Sequence, residues 1–264
     1  MKVLVLTDYI SPDISGGAWE FAYKFSLYAS LNVPTKIVCF RTDSEQPSSH
    51  HESSSLEIIR VNEKIGRVHE LLSIDHDIAF IHSPRMFLNY LLSFRNKSKP
   101  IVSMIHSPSS VERALNYEKK GIRSLILGFV DSFLMRRAEG LFFASEYMKD
   151  LATKKKALLE NKSMVLPLGI DPPIFLNELS EKDNRIAVRV EKERQSGYKI
   201  LFCIRRLVPR MGISNLVKAV ESLKDVRLYI AGNGPLKEQI ESEIRNTGLC
   251  GRVFLLGRIS DDLK

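Results

Sequence analysis

Two arginines, Arg205 and Arg206, follow an apolar run from Lys199 to Ile204, and a third, Arg210, stands just ahead of Gly212-Ile213 and an amphipathic run from Ser214 to Leu223. That order concentrates positive charge where a strand ends and a helix begins. A helix N-terminus adds partial positive charge of its own and aims free amides at the same place. In an open parallel sheet this carboxyl edge is where ligands bind. The guest this chemistry suits is an anion, above all a diphosphate, which arginine can grip with two hydrogen bonds at once. Two further turns share the edge. The run Val226 to Ile230 leads into Ala231-Gly232-Asn233-Gly234-Pro235-Leu236, and Arg252 to Leu256 leads into Gly257-Arg258-Ile259.

A second group of candidates lies nearer the N-terminus. The first strand, Lys2 to Thr7, is followed by Asp13-Ile14-Ser15-Gly16-Gly17-Ala18. Two glycines at a strand-to-helix turn let the backbone approach a ligand closely, although such a pair is also ordinary turn chemistry. The spacing is not Gly-x-Gly-x-x-Gly, which speaks against a nicotinamide or flavin site. His106 ends the run Ile101 to Ile105 and precedes Ser107-Pro108, so it should emerge at the sheet edge, in the cleft. An imidazole there can serve a reaction, and a lone histidine is also a common structural residue. His82, ahead of Ser83-Pro84, is either a second cleft residue or a capping one. Ser145-Glu146 reads as the capped start of a helix.

These residues need a scaffold in which strands end together. Short apolar, β-branched runs alternate with longer amphipathic ones, which predicts parallel strands joined by crossover helices. Strands are expected over Lys2 to Thr7, Thr35 to Phe40, Leu56 to Val61, Asp77 to Ile81, Ile101 to Ile105, Gly140 to Ala144 and Ser163 to Leu166. Helices are expected over Trp19 to Leu31, Gly66 to Leu72, Met86 to Phe94, Val111 to Ala138 and Glu146 to Lys156. The Ser-rich patch Ser48 to Ser55 reads as a flexible loop. Pro172-Pro173 and a charged stretch from Glu178 to Arg194 lack a strand signal and read as a linker, 171–198, with a short charged helix. A second β-α alternation starts at Lys199.

Composition bounds the function. At 264 residues, 44% hydrophobic and 27% charged, the chain has the make-up of a soluble globular protein with one large or two modest domains. The longest apolar stretch, Ile122 to Met135, contains Arg123 and Asp131 and falls short of the about 20 residues a membrane span needs. Cys39, Cys203 and Cys250 are odd in number and widely spaced, which fits small hydrophobes in a reducing cytoplasm and argues against disulfides or structural zinc. The net charge of +8 favours anionic partners. Its clusters are Lys119, Lys120 and Arg123; Arg136 and Arg137; and Lys154 to Lys156. Phosphorylated substrates and an anionic membrane surface both fit, as does a merely solvated face. Nucleic acid ranks last, because no aromatics interleave with the basic clusters.

The order Arg-Leu-Val-x-x-x-Gly-Ile, then Gly-x-Gly-Pro-Leu, then Phe-Leu-Leu-Gly resembles the donor half of the retaining GT4-type glycosyltransferases. Leu168-Gly169-Ile170-Asp171 resembles that family's Asn-Gly-Ile/Val-Asp segment. The resemblance implies an α/β protein of GT-B type, with two Rossmann-like, doubly wound parallel-sheet domains, the second incomplete. Residues 1–170 would be the acceptor-side domain and 199–264 part of the nucleotide-sugar donor domain. The implied activity is transfer of a sugar from a nucleotide diphosphate sugar to a carbohydrate or lipid-linked acceptor, without a metal on Asp-x-Asp and without a cofactor. Carried over residue by residue, Arg206 binds the donor diphosphate and Arg210 or Arg205 supplies the charge of the family's lysine, in whose place Met211 stands. Gly16 and Gly17 form the donor-facing loop, Gly234 and Ile259 line the donor, and His106 sits beside the transferred sugar. The family's Glu-x7-Glu element is absent from these residues, so the expectation includes an open strand edge and bare apolar surface after Leu256, completed by a second chain in a split enzyme. The alternatives are a non-catalytic remnant and, further off, a nucleotide-sugar epimerase.

Overall fold

A computed structural model describes residues 1–11, 13–14, 16–62, 74–92, 99–107, 122–153, 157–169 and 180–259. The helix expected over Gly66 to Leu72 and the basic clusters 119–120 and 154–156 lie outside the described residues, as do residues 170–179. The chain divides into two units, 1–114 with 119–169 and 115–118 with 170–264.

The first unit holds an eight-stranded sheet. Its strands are β1 (Val3–Leu6), β2 (Thr35–Phe40), β3 (Ser49–Ser53), β4 (Leu56–Val61), β5 (Ile78–Ile81), β6 (Ile101–Ile105), β7 (Gly140–Phe143) and β8 (Ser163–Val165). They lie in the order β3-β4-β2-β1-β5-β6-β7-β8 and are parallel except for β3. The order reverses at β1, so chain connections leave from both sides of it and a crevice opens at its carboxyl end. Helices α1 (Gly17–Ser30), α2 (Pro84–Leu92), α3 (Ile122–Arg137), α4 (Glu146–Thr153) and α5 (Ala157–Glu160) complete the unit. Side chains alternate along β1: Leu4 and Leu6 enter one core cluster, Val3 and Val5 the other, and none is more than 8% exposed. Burial on both faces is what the β-branched runs demand.

Strand β3 replaces the loop expected over Ser48 to Ser55. It pairs antiparallel with β4 at the sheet edge, and most of its side chains are exposed. With no buried face it carries no alternating apolar pattern, so composition hid it.

The second unit holds a three-stranded parallel sheet, β9 (Lys199–Ile204), β10 (Val226–Ala231) and β11 (Val253–Gly257), in the order β11-β10-β9. One face carries α7 (Ile213–Glu221) and α8 (Lys237–Asn246) over Val226, Leu228 and Ile230. The other carries α6 (Glu181–Gln195), which occupies most of the expected linker. Ser180 caps it through a hydrogen bond from the Asp183 amide. It packs on the sheet by polar means: Tyr229 donates to Glu193 at 2.6 Å, and the Arg189 guanidinium lies 3.8 Å from the Phe254 ring centroid. Polar docking explains why its charged sequence read as a connection.

Bare apolar side chains do not gather after Leu256, where Leu255 and Leu256 are half-buried. They sit on β9, whose Leu201, Phe202 and Ile204 are 39%, 42% and 40% exposed. Among the described residues β9 pairs only with β10.

Candidate functional site

Each unit presents one site at the carboxyl edge of its sheet. In the first, β5 and β6 end side by side and deliver His82 and His106. The two imidazoles stack with ring centroids 5.6 Å apart and planes 25° apart, and Nδ1 of His82 lies 3.3 Å from Nε2 of His106. Phe21 and Phe25 from α1 and Phe80 from β5 box them in, the closest being Phe80 at 4.7 Å from the His82 ring.

Burial in this aromatic box disfavours the imidazolium form. It pushes the His106 pKa down to about 4. His82, buried more deeply and facing His106, is lowered well below its ordinary value. Both rings are therefore neutral at physiological pH. Nε2 of His106 is engaged with His82, which leaves Nδ1 as the ring nitrogen for a substrate. A neutral imidazole donates or accepts one hydrogen bond and contributes no charge. Such a group suits a hydroxyl and does little for a diphosphate. Of the two readings left open for His82, capping fails: Ser83 caps α2, accepting from the Met86 amide at 3.0 Å and donating to Asp8 at 2.6 Å. Its neighbour His82 is the second imidazole of the edge, and strand-end placement was the one sign of this in the sequence.

The loop between β1 and α1 reaches the same edge. Gly16 has φ 173°, an extended conformation open to any residue, so its requirement is steric: a Cβ there would meet the Trp19 ring at 2.6 Å. At Gly17 a Cβ would meet nothing within 4 Å. The loop is anchored by Asp13, which accepts from Arg60 Nε at 2.8 Å and Nη2 at 3.2 Å, with both side chains buried. Nη1 of Arg60 lies 2.8 Å from Nδ1 of His50 on β3, which ties the loop to the edge hairpin. Sequence reading missed this anchor, since 47 residues separate its partners.

The second site is the loop from Arg205 to Gly212. Arg205 and Arg206 are exposed, Leu207 is buried, and Arg210 is half-buried in a single 3-10 turn, Pro209–Met211. Gly212 has φ 63°, a left-handed conformation that turns the chain into α7 without the strain a Cβ would bring. The Gly-x-Gly turn holds this loop from below. The Arg205 amide donates to Ala231 and the Leu207 amide to Asn233, both at 3.0 Å, and the Leu236 amide donates back to Leu207 at 3.1 Å. A Cβ on Gly232 would sit 1.9 Å from the Arg205 carbonyl oxygen, and one on Gly234 2.4 Å from that of Leu207. Both glycines thus admit the arginine loop. Ile259, half-buried, follows the positive-φ Gly257 at the end of β11. Ser145 caps α4 by accepting from the Met148 amide.

Among the described residues no three His, Cys, Asp or Glu side chains gather as a metal would need, and no helix is long and apolar enough to cross a membrane.

The sequence matches the family described as Glycosyltransferase Family 4 over residues 35–173 and that described as Glycosyl transferases group 1 over 184–264. It is 25% identical over 194 residues to the alpha-monoglucosyldiacylglycerol synthase of Streptococcus pneumoniae, covering 70% of this chain and 43% of that protein. It is 24% identical over 230 residues to the N-acetylgalactosamine-N,N'-diacetylbacillosaminyl-diphospho-undecaprenol 4-alpha-N-acetylgalactosaminyltransferase of Campylobacter jejuni, covering 86% of this chain and 58% of that one. The chain thus spans about half the length of these two relatives. Among solved structures, Anabaena Alr3699/HepE in complex with UDP-glucose aligns with a TM-score of 0.72 at 18% identity, over 99% of this chain and 70% of that one. Sucrose-phosphate synthase from Thermosynechococcus elongatus aligns with a TM-score of 0.74 at 13% identity, over 99% and 71%.

Proposed function

The chain belongs to glycosyltransferase family 4 and has the GT-B type of α/β fold, and from that premise we propose that it transfers a sugar from a nucleotide diphosphate sugar to a hydroxyl acceptor, with retention at the anomeric carbon. The observation that carries the reading is the loop 205–212. Its arginines stand at the N-terminal end of α7, and two glycines that no larger residue can replace hold it there. As the bond between sugar and diphosphate breaks, negative charge grows on the leaving oxygens. Arg206, with Arg210 or Arg205, and the α7 amides meet that charge without rearranging, which is electrostatic preorganisation. His106 holds a hydroxyl of the sugar or acceptor through Nδ1, a task its neutral state fits. Gly16 and Gly17 bring the α1 N-terminus to the donor, and Gly234 and Ile259 flank it.

The acceptor we propose is lipid-linked, and the chain works as a peripheral protein at a bilayer surface. Support comes from the two relatives, named for a glucosyldiacylglycerol and a diphospho-undecaprenol. UDP is the first nucleotide to test, since neighbouring structures hold UDP or UDP-glucose. Arg206→Ala should weaken UDP binding by about 1.5 to 3 kcal/mol, the scale of a hydrogen bond to a charged group. Unchanged affinity by calorimetry removes the diphosphate site.

A second reading follows from β9. Its bare Leu201, Phe202 and Ile204 support a donor half completed by further strands pairing at that edge, from a second polypeptide or another segment. On this reading the 264 residues alone bind nucleotide weakly and transfer no sugar. Robust transfer by the purified chain, with no other polypeptide present, would discard it.

A further inference from the structure

Helix α3 is apolar around its whole circumference. One side is ordinary core: Leu134, Met135 and the adjoining Ala138 are at most 4% exposed. The opposite side carries Ile122, Leu125, Ile126, Phe129 and Phe133, which are 78%, 67%, 55%, 78% and 52% exposed. Their spacing of three and four residues puts them on one stripe. A helix on a water-facing surface carries polar residues there, and a contiguous apolar stripe marks a contact. The helix's acidic residue, Asp131, is turned away among the buried groups. Charge at the stripe's end is positive: Arg136 and Arg137 are exposed in the last turn, and in the sequence Lys119, Lys120 and Arg123 flank the other end. Helices α2 and α5, which pack against α3, add exposed Leu88, Leu92 and Leu158.

We propose that this face of α3 docks on an anionic bilayer, with the apolar stripe at the acyl boundary and Arg136 and Arg137 at the lipid phosphates. The helix has 16 residues, about 24 Å at 1.5 Å each, which is short of the about 30 Å hydrocarbon core. With its inner side committed to the protein core it lies in the plane of the interface. A bilayer fits better than a second copy, because the net charge of +8 repels a like chain while anionic headgroups attract it. The inference rests on the peripheral reading above and names the surface that serves it.

Flotation of the full chain with phosphatidylcholine vesicles, with and without phosphatidylglycerol, tests it. Wild type should bind the anionic vesicles, more weakly at high salt. Leu125→Glu with Phe129→Glu should lower partitioning about a hundredfold, near tenfold for each apolar side chain withdrawn. Arg136→Glu with Arg137→Glu should abolish the preference for phosphatidylglycerol. Phe129→Trp should add emission that shifts to the blue on vesicles. Wild type that ignores both vesicles sinks the peripheral reading and this surface together. Wild type and the double glutamate variant floating alike leaves the peripheral reading standing and rejects α3. A marked fall in melting temperature from the glutamates, or a wild-type dimer that they split, also overturns the proposal, by showing the face covered by protein. Vesicle binding through α3 without sugar transfer would count against the transfer reading alone.

Discussion

Strands β1 and β9 each open a parallel sheet and each lead to a loop that the functional reading needs. Yet β1 has neighbours on both sides, β2 and β5, and β9 has β10 alone among the described residues. Every side chain of β1 is buried, whereas three apolar side chains of β9 are about two-fifths exposed. The same strand motif therefore does two jobs. In the first unit the site-bearing loop hangs from the best-buried strand of its sheet. In the second it hangs from an edge strand, and much of its rigidity comes from the Gly-x-Gly turn beneath it. Local stability follows buried contacts, so the two loops should differ in how readily they open.

The sharpest way to break that comparison is at the glycines. Gly232→Ala combines a 1.9 Å collision with the Arg205 carbonyl and a φ of 141°, so it should cost the second unit about 3 to 5 kcal/mol. Hydrogen exchange should show protection lost in β9 and β10 and retained in β1. Equal protection in variant and wild type would mean that the turn does not support the arginine loop.

Burial is the next contrast. Leu4→Ala, at 0% exposure in the centre of β1, should destabilise the first unit by about 2 to 5 kcal/mol in denaturant unfolding. Phe202→Ala on β9 should cost under about 1 kcal/mol, and β9 amides should exchange faster than those of β10. A large loss at Phe202 would show that β9 is covered in solution.

Acid should act on the first unit through its histidines. The unfolded His106 protonates near its ordinary 6.5, but the folded one only near about 4. Between those values the unfolded state binds the extra proton, so stability falls as pH falls. From pH 7.5 to pH 5 the loss is about 2 kcal/mol for His106, with His82 acting in the same direction. His106→Gln should remove that share, measured by denaturant unfolding at both pH values. If His106 acts as a neutral hydrogen-bonding group, turnover of an active enzyme should hold down to about pH 5. A decline beginning near 6.5 would mean that the ring is not shielded.

The smallest effect is expected at Gly17. A Cβ there meets nothing, and alanine favours helix over glycine by up to about 1 kcal/mol, so Gly17→Ala should be neutral or mildly stabilising. A loss of nucleotide affinity without a loss of stability would then mark Gly17 as a ligand contact.

Much of the scaffold was legible in the chain itself. Parallel strands buried on both faces announce themselves as short β-branched runs, which is why β2, β4, β6 and β9 fall where their residues indicate. Strand-end positions likewise marked His106, His82 and Arg206 as edge residues. What local pattern could not carry was anything decided by partners far along the chain. Edge strand β3 has no buried face to reveal it, and α6 docks by Tyr229 and Phe254 contacts that its own charged sequence does not foretell. The pairing of Arg60 with Asp13, and the stacking of His82 on His106, join residues 47 and 24 apart. Sequence determined which residue types stand at the sheet edges. Only the tertiary structure decided that two of them are neutral imidazoles in an aromatic box, because an imidazole's charge depends on how much water its neighbours exclude.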